Sequence, residues 1–136
     1  MDATQSKPPF PKFVKAGFIA ALSAAALSNI YNLIYTAITG IDVSAVVNIA
    51  SITMASFATI LAGTLVYFVL TRVTAKADMI FIIGAAALTI LSLMAPLSPT
   101  LPDGSATPSG FAALTIPMHF IAGLACILVL PRMSKG

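Results

Sequence analysis

Four long apolar runs, separated by short polar interruptions, organise the chain. They cover about residues 16–39, 44–71, 79–97 and 110–130. A hydrocarbon core of about 30 Å takes about 20 residues of helix to cross, and each run meets or approaches that length. The runs are too continuous for the alternating strands of a membrane barrel, so each is expected to be a transmembrane helix. The interruptions carry helix-ending residues. Gly40 is placed to close the first helix, and Asp78 to cap the third and favour its positive dipole end. Pro96 and Pro99 are placed to stop the third helix, and Pro131 the fourth.

Within the runs, small residues recur every four positions. Gly17, Ala21, Ala25 and Asn29 form such a stripe on the first helix, and Ser51, Ala55, Thr59 and Gly63 form one on the second. Gly84 to Ala87 give the third helix a small patch; Ala122, Gly123 and Cys126 give one to the fourth. Lipid tails are as apolar as leucine, so membrane helices associate by close packing at small residues and by interhelical hydrogen bonds. The stripes therefore predict a tight four-helix bundle in which Gly63→Leu is disruptive. Four stripes exceed what a monomer needs, so contact with a second copy or with another membrane protein is also expected.

Polar residues fall at matching depths. Counted at about 1.5 Å per residue, Ser28, Asn29, Asn32, Ser56, Thr59, Thr89, Ser92 and His119 occupy one slab about 17–25 Å from the basic end of each helix, with Thr115 a turn further out. Tyr31, Tyr35 and Asn48 extend this polar surface outward. A polar side chain facing lipid is costly, so these groups are expected to point inward or into another subunit. Two readings stand side by side. One is interhelical hydrogen bonding. The other is a cavity for a small uncharged or lipid-like ligand, built on Asn29, Asn32, Thr59, Thr89 and His119. His119, the single histidine, follows Pro117 by two residues. The proline frees a backbone carbonyl that the imidazole could use.

Composition sharpens the class. Of 136 residues, 59% are hydrophobic and 8% charged, against about 25% charged in a soluble domain. A soluble fold and intrinsic disorder are both excluded. The seven basic residues are Lys7, Lys12, Lys15, Arg72, Lys76, Arg132 and Lys135. All fall on one side of a four-span arrangement, and the positive-inside rule makes that side cytoplasmic, with both termini inside. The organisation expected is a Pro-rich cytoplasmic tail over 1–15, one four-span domain over 16–131 and a short cytoplasmic tail over 132–136. Lys7, Lys12 and Lys15 before an Ala/Leu-rich stretch resemble a signal peptide. The apolar run, however, continues to Thr39 and is long enough to span. The tail, with Pro8, Pro9 and Pro11, is expected to be extended, and the Pro/Ser/Gly-rich segment 98–109 to be a flexible connector or a lid.

Absences exclude further classes. Glutamate is missing, and no Asp, Glu, Lys or Arg is expected deep within a span, which argues against cation-coupled transport. No metal-ligand cluster occurs; a Ser–His intramembrane hydrolase stays open, since serines and one histidine are present, but no Gly-x-Ser-x-Gly motif supports it. The basic residues form no aromatic-interleaved patch for nucleic acid. The chain is expected not to be an enzyme and to hold no cofactor or metal. Cys126 is alone, so no intrachain disulfide forms.

The C-terminal half carries a recognisable pattern: Arg72 at the end of the second helix, Ser-Leu-Met-Ala-Pro-Leu over 92–97, a small-residue loop, and Pro-Met-His-Phe-Ile-Ala-Gly-Leu-Ala-Cys-Ile-Leu-Val-Leu-Pro-Arg-Met over 117–133. This resembles a family of small four-span bacterial membrane proteins known only as a domain of unknown function. The resemblance implies a bacterial inner-membrane protein with four helices and assigns no reaction, ligand or residue role. The function expected is that of a self-associating or partner-binding membrane subunit. The alternative is a channel or binding protein using the polar layer.

Overall fold

The computed structural model describes residues 7–135. The helices are α1 (Phe10–Thr39), α2 (Ile49–Val73), α3 (Ala77–Ser92) and α4 (Phe111–Lys135). The described residues contain no strand beyond an isolated bridge between Thr100 and Ala106. α1, α2 and α4 are long and apolar enough to cross a membrane, and α3 is a shorter apolar helix of 16 residues. The molecule is an all-α membrane bundle.

Contacts between helix ends fix the up-down-up-down path. Tyr35 near the end of α1 donates its hydroxyl to the Gly110 carbonyl just before α4 (3.1 Å). Lys135 at the end of α4 pairs with Asp78 at the head of α3. Arg72 at the end of α2 donates to the Pro8 carbonyl ahead of α1. The basic residues therefore gather at one end of the bundle, and Asp42 and Asp103 lie in loops at the other.

Local chemistry sets the helix limits, several of which differ from those expected. α1 begins at Phe10, with Pro11 in its first turn, where the missing N–H costs nothing. Lys12, Phe13 and Lys15 are therefore helical, not extended. Residues 7–9 precede the helix, with Pro9 extended at φ −71° and ψ 154°, and residues 1–6 of the expected extended tail lie outside the described residues. Gly40 does close α1, at φ 68°, with its N–H on the Thr36 carbonyl. α2 begins at Ile49, not near Ser44. Asn48 accepts from the Ser51 N–H (3.0 Å) while the Ser51 hydroxyl accepts from the Asn48 N–H (2.9 Å), a reciprocal cap that fixes the start. Asp78 makes no cap for α3; its carboxylate is taken by Tyr67 and Lys135.

α3 ends at Ser92, short of the expected Leu97. Pro96 has no N–H to offer the Ser92 carbonyl. The chain tightens instead into i→i−3 bonds from Leu93, Met94 and Ala95. α4 runs through Pro131 to Lys135, so Pro131 does not stop it. It also contains Pro117, which leaves the Ala113 carbonyl without its helical donor. The Tyr31 hydroxyl fills that place at 3.0 Å, so the carbonyl freed by Pro117 serves α1, not His119. The 98–109 connector is internally bonded: Thr107 donates to the Ser98 carbonyl, and Leu101 N–H to Ser105.

α1 packs against α2 and α4; α3 packs against α2 and α4, and its backbone does not approach that of α1 closely. The face α1 buries is Phe13, Ala16, Gly17, Ala20, Ala21, Ala24, Ala25 and Ser28, so the expected packing positions Gly17, Ala21 and Ala25 lie inside. On α2 the register differs. Its buried face is Ile52, Ser56, Ile60, Thr64 and Tyr67, whereas Ser51, Ala55 and Thr59 are exposed and Gly63 is half-buried. The expected α2 stripe is thus corrected by one residue, about 100° of helix rotation. The reason is steric. From Ala16 to Ser28 the buried face of α1 supplies only small side chains, so α2 fills the space with Ile60 and Tyr67, both fully buried. Small-against-small contact occurs where it is needed. A Cβ on Gly17 would collide with the Thr64 hydroxyl, and one on Gly123 with the Thr89 hydroxyl, whereas one on Gly63 would sit 3.5 Å from Cys126 Sγ in ordinary contact.

Candidate functional site

The five residues of the expected polar layer do not converge on one cavity. Asn29 donates to the Ala25 carbonyl (2.8 Å) and to Thr53 Oγ1 (3.2 Å), linking α1 to α2, and its own Oδ1 is buried without a partner. Thr89 donates to the Ala85 carbonyl (2.7 Å), one turn back in α3, and rests on Gly123. His119 meets Ser92 across the α3–α4 contact, Nδ1 to Oγ, at 2.8 Å. Ser92 Oγ also lies 2.7 Å from the Thr89 carbonyl, one turn back in α3. Thr59 faces away from the bundle, and its hydroxyl makes no hydrogen bond. Asn32 lines an open groove. Asn29 bonds across the α1–α2 contact and His119 across the α3–α4 contact, so the two belong to separate helix contacts. Ala20, Ala21, Ala24, Ile60, Leu114 and Leu130, all fully buried, fill the space between helices with side chains.

A groove opens at Asn32. It lies at the end away from the basic residues, between the second half of α1 and the segment 41–50, with a volume of about 420 Å³. Asn32, Thr36 and Asp42 contribute polar groups, and Leu33, Val43 and Ile49 contribute apolar walls. Asp42 is held by a turn in which the Ser44 N–H donates to its Oδ1 at 2.8 Å. Bonding from Ser44, by side chain and backbone, keeps its carboxyl below the ordinary carboxylate range, so it is charged at neutral pH. The Asn48 amide donates to the Ser44 carbonyl at 3.2 Å and holds the turn against α2.

The opposite end holds a cluster that the sequence pattern did not reveal. The Tyr67 hydroxyl, on a fully buried side chain, donates to Asp78 Oδ1 at 2.7 Å, and Lys135 pairs with Oδ2 of the same carboxylate. Phe13 and Phe81 pack on the Tyr67 ring at 5.6 and 4.7 Å between centroids. Arg72 stacks its guanidinium 4.7 Å above the Phe68 ring, and Lys7 donates to the Arg72 carbonyl at 3.1 Å. This arrangement fastens the ends of α2 and α4 to the head of α3. Its signal in the sequence is slight: Asp78 is one of two acids, with Asp2, on the side that holds all seven bases. Among the described residues, no group of three His, Cys, Asp or Glu side chains is placed to hold a metal ion.

Residues 8–136 match the model of a family of unknown function, DUF6069. The chain belongs to that family. No curated protein and no solved structure matches it.

Proposed function

We propose that the chain is a non-enzymatic membrane subunit that associates with a copy of itself, or with another membrane protein, through the outward edge of α2. The observation that carries this is the placement of Ser51, Ala55, Ala58, Thr59 and Ala62, all exposed on the side of α2 turned away from the buried Ile52–Tyr67 face. A second helix can approach such an edge closely. Thr59 adds a polar incentive. Its unbonded hydroxyl lies about 15 Å along the helix from the Ile49 end, by the rise of about 1.5 Å per residue, where lipid offers no hydrogen-bond partner. A pore through the bundle gains no comparable support, because the space between the helices is filled.

Cysteine cross-linking in native membranes tests the reading. In a Cys126→Ser background, Ala55→Cys and Thr59→Cys should give oxidised products, either a dimer of the chain or an adduct with one membrane protein identifiable by mass spectrometry. Leu88→Cys, on the exposed side of α3, should give none. Failure of both α2 positions, or equal reaction at Leu88, contradicts the proposal. The same reading sets the basic end at the cytoplasmic face of a bacterial inner membrane, by the positive-inside rule. Lys76→Cys and Ser105→Cys should then react with impermeant thiol reagents from the inner and the outer face respectively. Labelling of both from one face contradicts that orientation.

A further inference from the structure

The groove between α1 and segment 41–50 presents polar groups in order of depth. Counted back from Thr39 at about 1.5 Å per residue, Thr36 lies about 5 Å and Asn32 about 10 Å inside the end of α1, while Asp42 lies beyond that end, in the following loop. The Asn32 amide and the Thr36 hydroxyl are half-buried and make no hydrogen bond within the protein. By contrast, Ser56, Thr64, Thr89, Thr115 and Ser134 each donate to their own helix backbone. Unpaired polar groups at the edge of the hydrocarbon are costly, so their persistence in one groove calls for a ligand with acceptor oxygens. No Lys or Arg occurs at this end of the molecule, and Asp42 has no ion-pair partner among the described residues. Leu33 and Ile49, both exposed, flank the groove as an apolar mouth open to lipid tails.

We propose that this groove binds an aminophospholipid of the surrounding bilayer. Its primary ammonium rests on the Asp42 carboxylate, its phosphate and ester oxygens accept from Thr36 and Asn32, and an acyl chain runs over Leu33 and Ile49. The order of the polar groups follows that of the headgroup, cation outermost and oxygens deeper, while Leu33 beside Asn32 and Ile49 at the head of α2 give the acyl chain apolar flanks. Charge decides among headgroups. A net-negative phosphatidylglycerol meets Asp42 with no base to neutralise it, and a quaternary choline has no N–H to donate to the carboxylate.

The test is native mass spectrometry of the full chain released from nanodiscs of equal parts phosphatidylethanolamine, phosphatidylglycerol and phosphatidylcholine. Phosphatidylethanolamine should be the lipid retained. Asp42→Asn keeps an oxygen for the Ser44 N–H and removes only the charge, so it should cut retention about ten-fold, the scale of one lost charged hydrogen bond, with unchanged thermal unfolding. Asn32→Leu should cut it several-fold. Equal retention of the three lipids, or phosphatidylethanolamine retention indifferent to Asp42→Asn, overturns the proposal. So does preferential retention of phosphatidylglycerol, which would point to the basic end. Asp42 lies in a loop, so its variant keeps the test decisive even if Asn32→Leu does not fold.

Discussion

α1 presents a face of glycine and alanine that α2 and α4 cover, whereas α3, the most apolar of the four helices, buries only Ala77 and Phe81. In water the ranking would be reversed, because burial follows apolar area. In lipid, leucine and isoleucine gain nothing by leaving the tails, and close approach decides. Ala20, Ala21 and Ala24 share one buried cluster with Ile60 and Tyr67 of α2, and Gly17 lets Thr64 approach closely. Ile83, Leu88, Ile90 and Leu91 of α3 stay exposed to lipid. α3 is held by discrete bonds at its two ends instead: Tyr67 and Lys135 on Asp78 at one, His119 on Ser92 at the other.

This contrast ranks mutational effects. Ala20 is fully buried on the small face, so Ala20→Leu should force α1 off its neighbours and cost about 3 kcal/mol, read as unfolding in bicelles by titration with denaturing detergent. Tyr67→Phe keeps the ring packing and removes the hydroxyl that Asp78 accepts. It should cost about 1–2 kcal/mol, and in an Asp78→Asn background that penalty should shrink. At the other end of α3, His119→Leu should cost about 0.6 kcal/mol, the usual worth of an interhelical hydrogen bond in a membrane, with Ser92→Ala non-additive to it in a double-mutant cycle. Leu88→Ala on the lipid face of α3 should stay within about 0.5 kcal/mol of the parent. If Leu88→Ala proved as damaging as Ala20→Leu, apolar burial and not close approach would govern the bundle.

The four helices and their grouping by charge were legible because both follow from long-range totals: apolar length, and the side on which basic residues fall. Gly40 as a helix end was legible because a left-handed residue there is a local property. Limits set by cooperation were not. Asn48 and Ser51 each look unremarkable until they bond reciprocally, and Pro131 reads as a stop although the helix continues through it to Lys135. The α2 register was missed because spacing by fours fits two adjacent stripes equally well. Only the size of the partner face on α1 selects the one with Ile60 and Tyr67. The polar layer was legible as depth but not as a site. Depth says nothing of azimuth, and azimuth sends Thr59 outward, Asn32 to a groove, and Asn29 and His119 to separate helix contacts.

The register of α2 underlies both the packing and the proposed interface, and a pair of alanine substitutions reads it directly. Unfolding free energies of Gly17→Ala and Gly63→Ala would be measured in the same bicelles. The added methyl at residue 17 meets the Thr64 side chain, whereas at residue 63 it meets Cys126 at ordinary distance. Gly17→Ala should therefore lose about 1–3 kcal/mol by overpacking, while Gly63→Ala should be neutral or gain up to about 1 kcal/mol from helix propensity. A loss at Gly63 equal to or larger than that at Gly17 would make Gly63, not Gly17, the point of closest helix approach and contradict the account.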